Sequence, residues 1–277
     1  MLRFFHYAHY IMLVALLEQQ RIVAAGAKKG PTYYCPGCAQ EVILRQGRKV
    51  IHHFAHKPPV SCSWAMGETK LHLRAKELFY EFFKGQGRQV DIELPLAARQ
   101  LRADVFVTGN NNQQVAFELQ HSSIGPTEIE QRTSLYFQHG ITLIWIPLFR
   151  PDKLDFERSK DGMIVKRYSP KPFERWIHGF NFGHIWYFDP ENSHLWHGKF
   201  EKSMIDVPVS EWYESGGEHV SVGGYERISK RWKKLMLSGP YPLEAVVFKI
   251  KRREESRFGT HWYPGGNILS IEKPPTR

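Results

Sequence analysis

The chain has 277 residues, of which 42% are hydrophobic and 24% charged, values that exclude a peptide, a collagen-like chain or a disordered tail. Thirty-eight Lys and Arg against 28 Asp and Glu leave a net charge of +10, which favours a polyanionic partner, nucleic acid first. No stretch approaches the ~20 apolar residues of a spanning helix, so no membrane partner is expected.

In chain order, residues 11–17 are apolar, Arg3 precedes them and small residues follow at Ala24 to Ala27, a loose imitation of a secretory signal. Glu18, Gln19, Gln20 and Arg21 interrupt the run too early, so a core strand or short helix is expected, with Met12 an alternative start that makes residues 1–11 an extension. Three cysteines, an odd number in a long chain, argue against a secreted disulfide framework and fit a reducing cytoplasm. Cys35-Pro36-Gly37-Cys38 is a CxxC turn, and His52, His53, His56 and Cys62 follow it. Cys35, Cys38 and Cys62 with His56, or His53 as the alternate, make four ligands for a closed structural zinc site. A CxxC is otherwise a redox pair or two core thiols.

The next segment is strongly periodic. Leu71, Ala75, Leu78, Phe79 and Phe82 recur at helical spacing between Gly67 and Lys84, and Gly85 and Gly87 end the run. Glu68, His72 and Lys76 are four apart and line one edge of that stripe. Alternation over residues 90–96 marks a strand, a second runs over about 101–108, Gly109-Asn110-Asn111-Asn112 is turn chemistry, and a third runs over about 113–121. In the resulting hairpin Asp104 faces Glu118 or a residue within one of it, and Gln120 shares that face. Paired carboxylates repel unless one is protonated or a hard cation lies between them, as magnesium or manganese would. The other reading is an outward, solvated face. Thr127 and Glu130 after Pro126 suggest a capping box, the helix continues through Tyr136, and Gly140 closes it before an apolar strand at 141–146.

Beyond residue 150 the chain is rich in Trp and basic residues. Residues 185–188 and 195–200 flank Asp189-Pro190-Glu191-Asn192-Ser193 as a hairpin, and residues 225–237 read as a helix. Between Glu226 and Arg257 lie ten Lys or Arg and four Glu, a net +6, so Lys230, Arg231, Lys233 and Lys234 are candidates for phosphate contact. Trp and Tyr side chains among them suit base stacking on single strands. Composition divides the chain into residues 1–66, 67–150 and 151–277.

The helix, three strands, helix, strand order with Glu68, Asp104 and Glu118-Leu119-Gln120 resembles the PD-(D/E)XK nuclease core, of restriction-endonuclease-like αβββαβ order in the α/β (α+β) class. The YYCPGC segment, the HFAH of His53 to His56, and GETKLHLRAK are together similar to the competence protein CoiA-like family, in which a zinc-binding module precedes that fold. The likeness covers about residues 12–150. It implies a cytoplasmic magnesium- or manganese-dependent DNA nuclease acting in DNA uptake, recombination or processing. Glu68, Asp104 and Glu118 would hold the ion, Gln120 the water, and His72 and Lys76 the phosphate. Arg132 and Tyr136 occupy the position where related nucleases face the DNA backbone. Two departures stand out: Ala103 replaces the motif's Pro, and Gln120 replaces a Lys that brings positive charge. The alternative is a DNA-binding recombination mediator on an inactivated nuclease fold, and a more distant one is a structural partner protein that binds RNA.

Overall fold

The structure, a computed structural model, describes residues 10–47, 51–60, 62, 64, 68–160 and 162–274. Arg3 and Gly67 lie outside the described residues. The N-terminal module comprises strands β1 (Ile11–Met12), β2 (Val14–Leu17), β3 (Gln20–Val23), β4 (Tyr33–Tyr34), β5 (Glu41–Arg45) and β6 (His53–His56), paired in the order β1-β6-β5-β4-β2-β3. Of the polar residues that interrupt the apolar run, Glu18 and Gln19, at φ of 48° and 67°, form the hairpin turn, and Gln20 and Arg21 begin β3 paired with Leu17 and Leu16.

Helix α1 spans Lys70–Gly85. Its start differs from the expected Gly67, because the Thr69 hydroxyl accepts from His72 N at 3.2 Å and caps the helix. Glu68 therefore precedes the helix. The buried face is also rotated from the expected stripe: His72, Ala75, Lys76, Phe79 and Phe83 form it, whereas Leu71, Leu78 and Phe82 are half-buried.

Strands β7 (Gln89–Leu96), β8 (Leu101–Thr108) and β9 (Gln114–Gln120) form an antiparallel meander, the β8–β9 turn carried by Asn111 and Asn112 at φ of 62° and 58°. Helix α2 (Pro126–Gln138) then returns the chain to β10 (Thr142–Pro147), which lies parallel to β9 with Trp145 opposite Glu118. All of β10 is buried, as expected of a strand covered on both faces. The capping box expected at Thr127 and Glu130 does not form. Gly125 is the N-cap with no side-chain bond, Pro126 supplies the preset first turn, and Glu130 instead accepts from Trp262 N at 3.0 Å and Trp176 Nε1 at 3.2 Å.

After β11 (Glu157–Ser159), β12 (Gly162–Tyr168) and α3 (Pro172–Phe180) come β13 (Ile185–Asp189) and β14 (His194–Val207), the expected hairpin. β15 (Ser210–Tyr213) and β16 (His219–Val222) form a small separate ribbon. Residues 225–237 are a strand, not the expected helix: they lie in β17 (Tyr225–Pro242), which pairs with β14 on one side and β12 on the other. Pairing on both sides outweighs a helical pattern weak enough to place Leu235 and Leu237, two apart, in the core. β18 (Val247–Arg253), β19 (Ser256–Phe258), β20 (His261–Tyr263) and β21 (Gly266–Glu272) complete the chain.

The central sheet has the order β18-β21-β10-β9-β8-β7, so two strands from the C-terminal segment join the strands of residues 67–150. One face carries α1, with Phe79 and Phe83 against Phe117 and Ile144, and the other carries α2 and α3, with Ile129 and Trp176 in a core with Trp145. A third apolar cluster joins Ile11, Leu13 and Val14 of the N-terminal module to Leu73, Tyr80 and Ile92. Among the described residues no helix is long and apolar enough to cross a membrane.

Candidate functional site

Two sites emerge. In the N-terminal module Cys35, Cys38, His56 and Cys62 bring ligand atoms within 4.8 Å of one another. The CPGC turn places the first two, closed by Cys35 N to Gln40 O at 2.8 Å and Ala39 N to Cys35 O at 2.9 Å. Gly37 N donates to Cys35 Sγ at 3.3 Å, and a Cβ on Gly37 would meet Trp64 Cβ at 2.4 Å, so this turn requires glycine. The Cys35 and Cys62 sulfurs are 3.7 Å apart, and Cys38 Sγ is 3.3 Å from His56 Nε2. A tetrahedron with ~2.3 Å metal–sulfur bonds has a sulfur–sulfur edge of about 3.7 Å, so the set fits a four-coordinate thiophilic ion such as zinc. Burial pushes the Cys35 thiol up to about 12 and lowers His56 toward its neutral, ligating form. A bound dication would reverse the first effect. Of the two histidine alternatives, His56 is in the cluster; His53 Nδ1 bonds Ile51 O at 2.8 Å instead.

The second site is a cleft of about 480 Å³ between the start of α1, the β8–β9 hairpin and the start of α2. Its wall brings together Glu68, His72, Arg102, Asp104, Glu118, Gln120 and Arg132. Asp104 and Glu118 lie one step beyond the paired residues Val105 and Phe117, on the face opposite those two side chains, as the hairpin arithmetic predicts. Behind the wall, Lys76 is fully buried. Its Nζ reaches Glu68 Oε1 at 2.8 Å, Glu93 Oε1 at 3.1 Å and Asp104 Oδ1 at 3.3 Å. His72 lies between Glu68 and Asp104, with Nδ1 2.7 Å from Glu68 Oε2 and Nε2 3.1 Å from Asp104 Oδ2.

The electrostatics follow from this packing. Burial opposes charge on Lys76, but its three carboxylates raise its pKa above the ordinary value. Burial likewise opposes His72, yet Asp104 and Glu68 hold it up at about 9. In return Lys76 and His72 overcome burial at Glu68 and Asp104 and keep both well below the usual carboxylate range; Asp104 also accepts from Leu119 N at 2.9 Å. Glu118 differs. Burial pushes its carboxyl up although Arg132 Nη2 is 2.7 Å from Oε2 and the Tyr136 hydroxyl donates to Oε1.

Glu93 was not singled out from the sequence, where it reads as one polar residue of an alternating strand. It has φ of 53°, is 1% exposed, and turns its carboxylate onto Lys76. Its left-handed backbone leaves no sequence signal. Arg21, from the N-terminal module, donates to the Ile92 and Glu93 carbonyls at 2.6 and 3.1 Å. A second link runs from the cysteine turn: Trp64 packs on Gly37, Arg102 stacks on Trp64 at 4.9 Å, and Arg102 Nη2 lies 3.4 Å from Glu68 Oε1.

Other candidates fall differently. Tyr136 is wholly buried beneath Glu118, so it does not face a DNA backbone, whereas Arg132, stacked 5.1 Å from Trp145 and paired with Glu118, keeps a partly exposed side chain in the cleft wall. Gln120 donates to Ser122 O at 2.6 Å and fixes the loop after β9. Lys230, Arg231, Lys233 and Lys234 lie on β17, where neighbours alternate faces, so they do not form the single row a helix would present. Lys234 is 4.0 Å from Glu201 and Arg231 stacks on Trp232 at 4.5 Å.

Two family models match the chain. Residues 16–65 match the family described as competence protein CoiA, N-terminal domain, and residues 68–199 match competence protein CoiA, nuclease-like domain. Competence protein CoiA of Bacillus subtilis (strain 168) is 30% identical over 115 residues, 41% of this chain and 31% of the relative, so the match spans about a third of that protein's length. No solved structure matches the chain. The two matched regions divide at the boundary between the cysteine module and α1, and the chain belongs to the competence protein CoiA-like family.

Proposed function

We propose that the chain is a magnesium- or manganese-dependent deoxyribonuclease built on a PD-(D/E)XK-like core, with zinc in the N-terminal cysteine site, acting in the cytoplasm on DNA during uptake, recombination or processing. The observation that carries this reading is the convergence of Glu68, just before α1, Asp104 of β8, and Glu118 and Gln120 of β9 on one cleft beside His72 and Arg102. The donor set suits a hard dication: three carboxylates, among them Glu68, whose Oε2 lies 2.7 Å from His72 Nδ1. Glu68, Asp104 and Glu118 would hold the ion. When bound, it supplies positive charge for the scissile phosphate and acidifies a water. Gln120, already oriented by Ser122, would accept from that water, and Arg102 would hold the phosphate oxygens at the cleft mouth, while His72, with its ring nitrogens on Glu68 and Asp104, would keep those two carboxylates in place. Lys76 is too deep to touch substrate, and its part is to keep Glu68 and Asp104 ionised.

One observation favours a second reading, DNA binding without turnover. Glu68, Glu93, Asp104 and Glu118 are matched by His72, Lys76, Arg102 and Arg132, so the cluster is compensated by the chain's own cations. A dication must then compete with His72 and Arg132 for the carboxylates. The deciding experiment is cleavage of end-labelled single-stranded and duplex DNA by zinc-loaded protein with magnesium, manganese or chelator, beside Glu118→Ala. Metal-dependent cleavage lost in Glu118→Ala is the expected result. Retained DNA binding with no cleavage under any metal overturns the nuclease reading in favour of the second.

A further inference from the structure

The long hairpin of β14 and β17 ends in a tip whose chemistry differs from the rest of the molecule. Residues 206–226 contain Asp206, Glu211, Glu214, Glu218 and Glu226 and no Lys or Arg, a formal −5, against +15 on the remaining residues, for the chain's net +10. On the same tip Val209, Trp212, Tyr213, Val222 and Tyr225 are 44 to 73% exposed. The fold commits residues to this shape: Gly223, at φ of +107°, lets the chain pass Pro208, where a Cβ would lie 2.1 Å from the carbonyl oxygen. An exposed aromatic patch marks a docking surface, and the acidic charge turns it away from phosphate.

A surface of the opposite character lies at the base of the same hairpin. A groove of about 870 Å³ is lined by the apolar side chains of Phe156, Met163, Trp196 and Tyr241 and by the basic ones of Arg158, Lys160 and Lys273. Among the described residues lining it there is no Asp or Glu. The tip cannot fill the groove of its own chain. Eleven residues of extended strand separate Trp196 from Val207, about 36 Å at ~3.3 Å per residue, and the strand pairing continues to Val207 and Tyr225.

We propose that the tip of one chain seats in this groove of a second copy, the Trp212 and Val222 face of its β15–β16 ribbon against the apolar floor and the acidic side chains of the tip toward Arg158, Lys160 and Lys273. Reciprocal exchange of the two tips closes a two-fold dimer with two identical contacts. The proposal is independent of any activity at the carboxylate cleft.

The test is sedimentation velocity of the zinc-loaded, nucleic-acid-free full chain at rising concentration, at low and high salt. A doubling of mass that salt weakens is expected. Trp212→Ser with Val222→Ser, or Arg158→Glu with Lys160→Glu, should each leave a monomer with unchanged circular dichroism. Mixing the two variants should restore association, because one intact tip then meets one intact groove. A monomer at every concentration, a dimer unaffected by either pair of substitutions, or association only with an added basic protein overturns the proposal.

Discussion

Lys76 holds three carboxylates in a space from which water is excluded, and its own ionisation depends on them. Removing one partner of such a cluster leaves buried charge uncompensated, which costs about 3–5 kcal/mol. Lys76→Met is therefore expected to lower unfolding free energy by at least about 3 kcal/mol in urea titrations, with Glu93→Gln in the same chain recovering part of the loss. A loss under about 1 kcal/mol contradicts the assignment of Lys76 as the cluster's counterion. Glu118 presents the opposite balance. Its charge is sustained by Arg132 and the Tyr136 hydroxyl against burial, so these two side chains decide whether the cleft has its third carboxylate.

At the scale of elements, β7 carries its left-handed Glu93 with help from another module. The Ile92 and Glu93 carbonyls turn toward Arg21, and burial lowers the pKa of that guanidinium, with Asp91 and Glu93 acting against the shift. Arg21→Ala leaves two carbonyls short of a donor, so a destabilisation of about 1–3 kcal/mol is expected. Faster amide exchange should be confined to residues 89–96 and their neighbours in β8; uniform exchange along the chain contradicts this local role. Around α3 and β14 a different group sets the pH response. His178 accepts from Phe200 N at 3.2 Å, which requires a neutral ring, and His197 contacts His184 at 3.1 Å with Lys199 and Lys273 nearby. Burial first, then these positive neighbours, depress His178 and His197 to about 4. Their folded-state values lie below the ordinary ~6.5, so the unfolded chain binds more protons between the two values. Stability is complete above about pH 6.5 and is lost as pH falls toward 4. Melting temperature against pH should show this slope, and His178→Phe with His197→Phe should flatten it.

For the whole molecule, the cysteine site and the acidic cleft are joined by Trp64, Arg102 and Arg21 and by the apolar cluster of Leu13, Leu73 and Ile92. Zinc binding is folding free energy for a module of this size. Chelation is thus expected to unfold residues 10–64 and also to loosen α1 and β7, seen as loss of exchange protection at Leu73 and Ile92. A central sheet that keeps full protection after metal removal contradicts the coupling. The C-terminal segment has a related dependence, since β18 and β21 complete that sheet and β14 and β17 carry the acidic tip. Removing residues beyond 246 is expected to expose β10 at its β21 edge.

Much was legible from residue order alone, and for local reasons. The CPGC turn, the Asn-rich hairpin and the register placing Asp104 by Glu118 depend on neighbours in sequence and on the two-residue period of a strand. The four residues of the cysteine–histidine cluster followed from spacing, with the sheet placing His56 rather than His53 in it. What residue order did not reveal was non-local. Residues 225–237 read as a helix because pairing with β12 and β14 is non-local, and Glu93 reads as one polar residue of an alternating strand because no side-chain pattern marks a left-handed φ. Tyr136 is a candidate for DNA contact by its helix position, but burial turns it onto Glu118. Sequence by itself determined which chemical groups the chain carries and the short-range geometry that groups them on turns and strand faces. Tertiary structure alone decided which of those groups meet, because burial between modules chooses partners for charges that in an extended chain would each be satisfied by water.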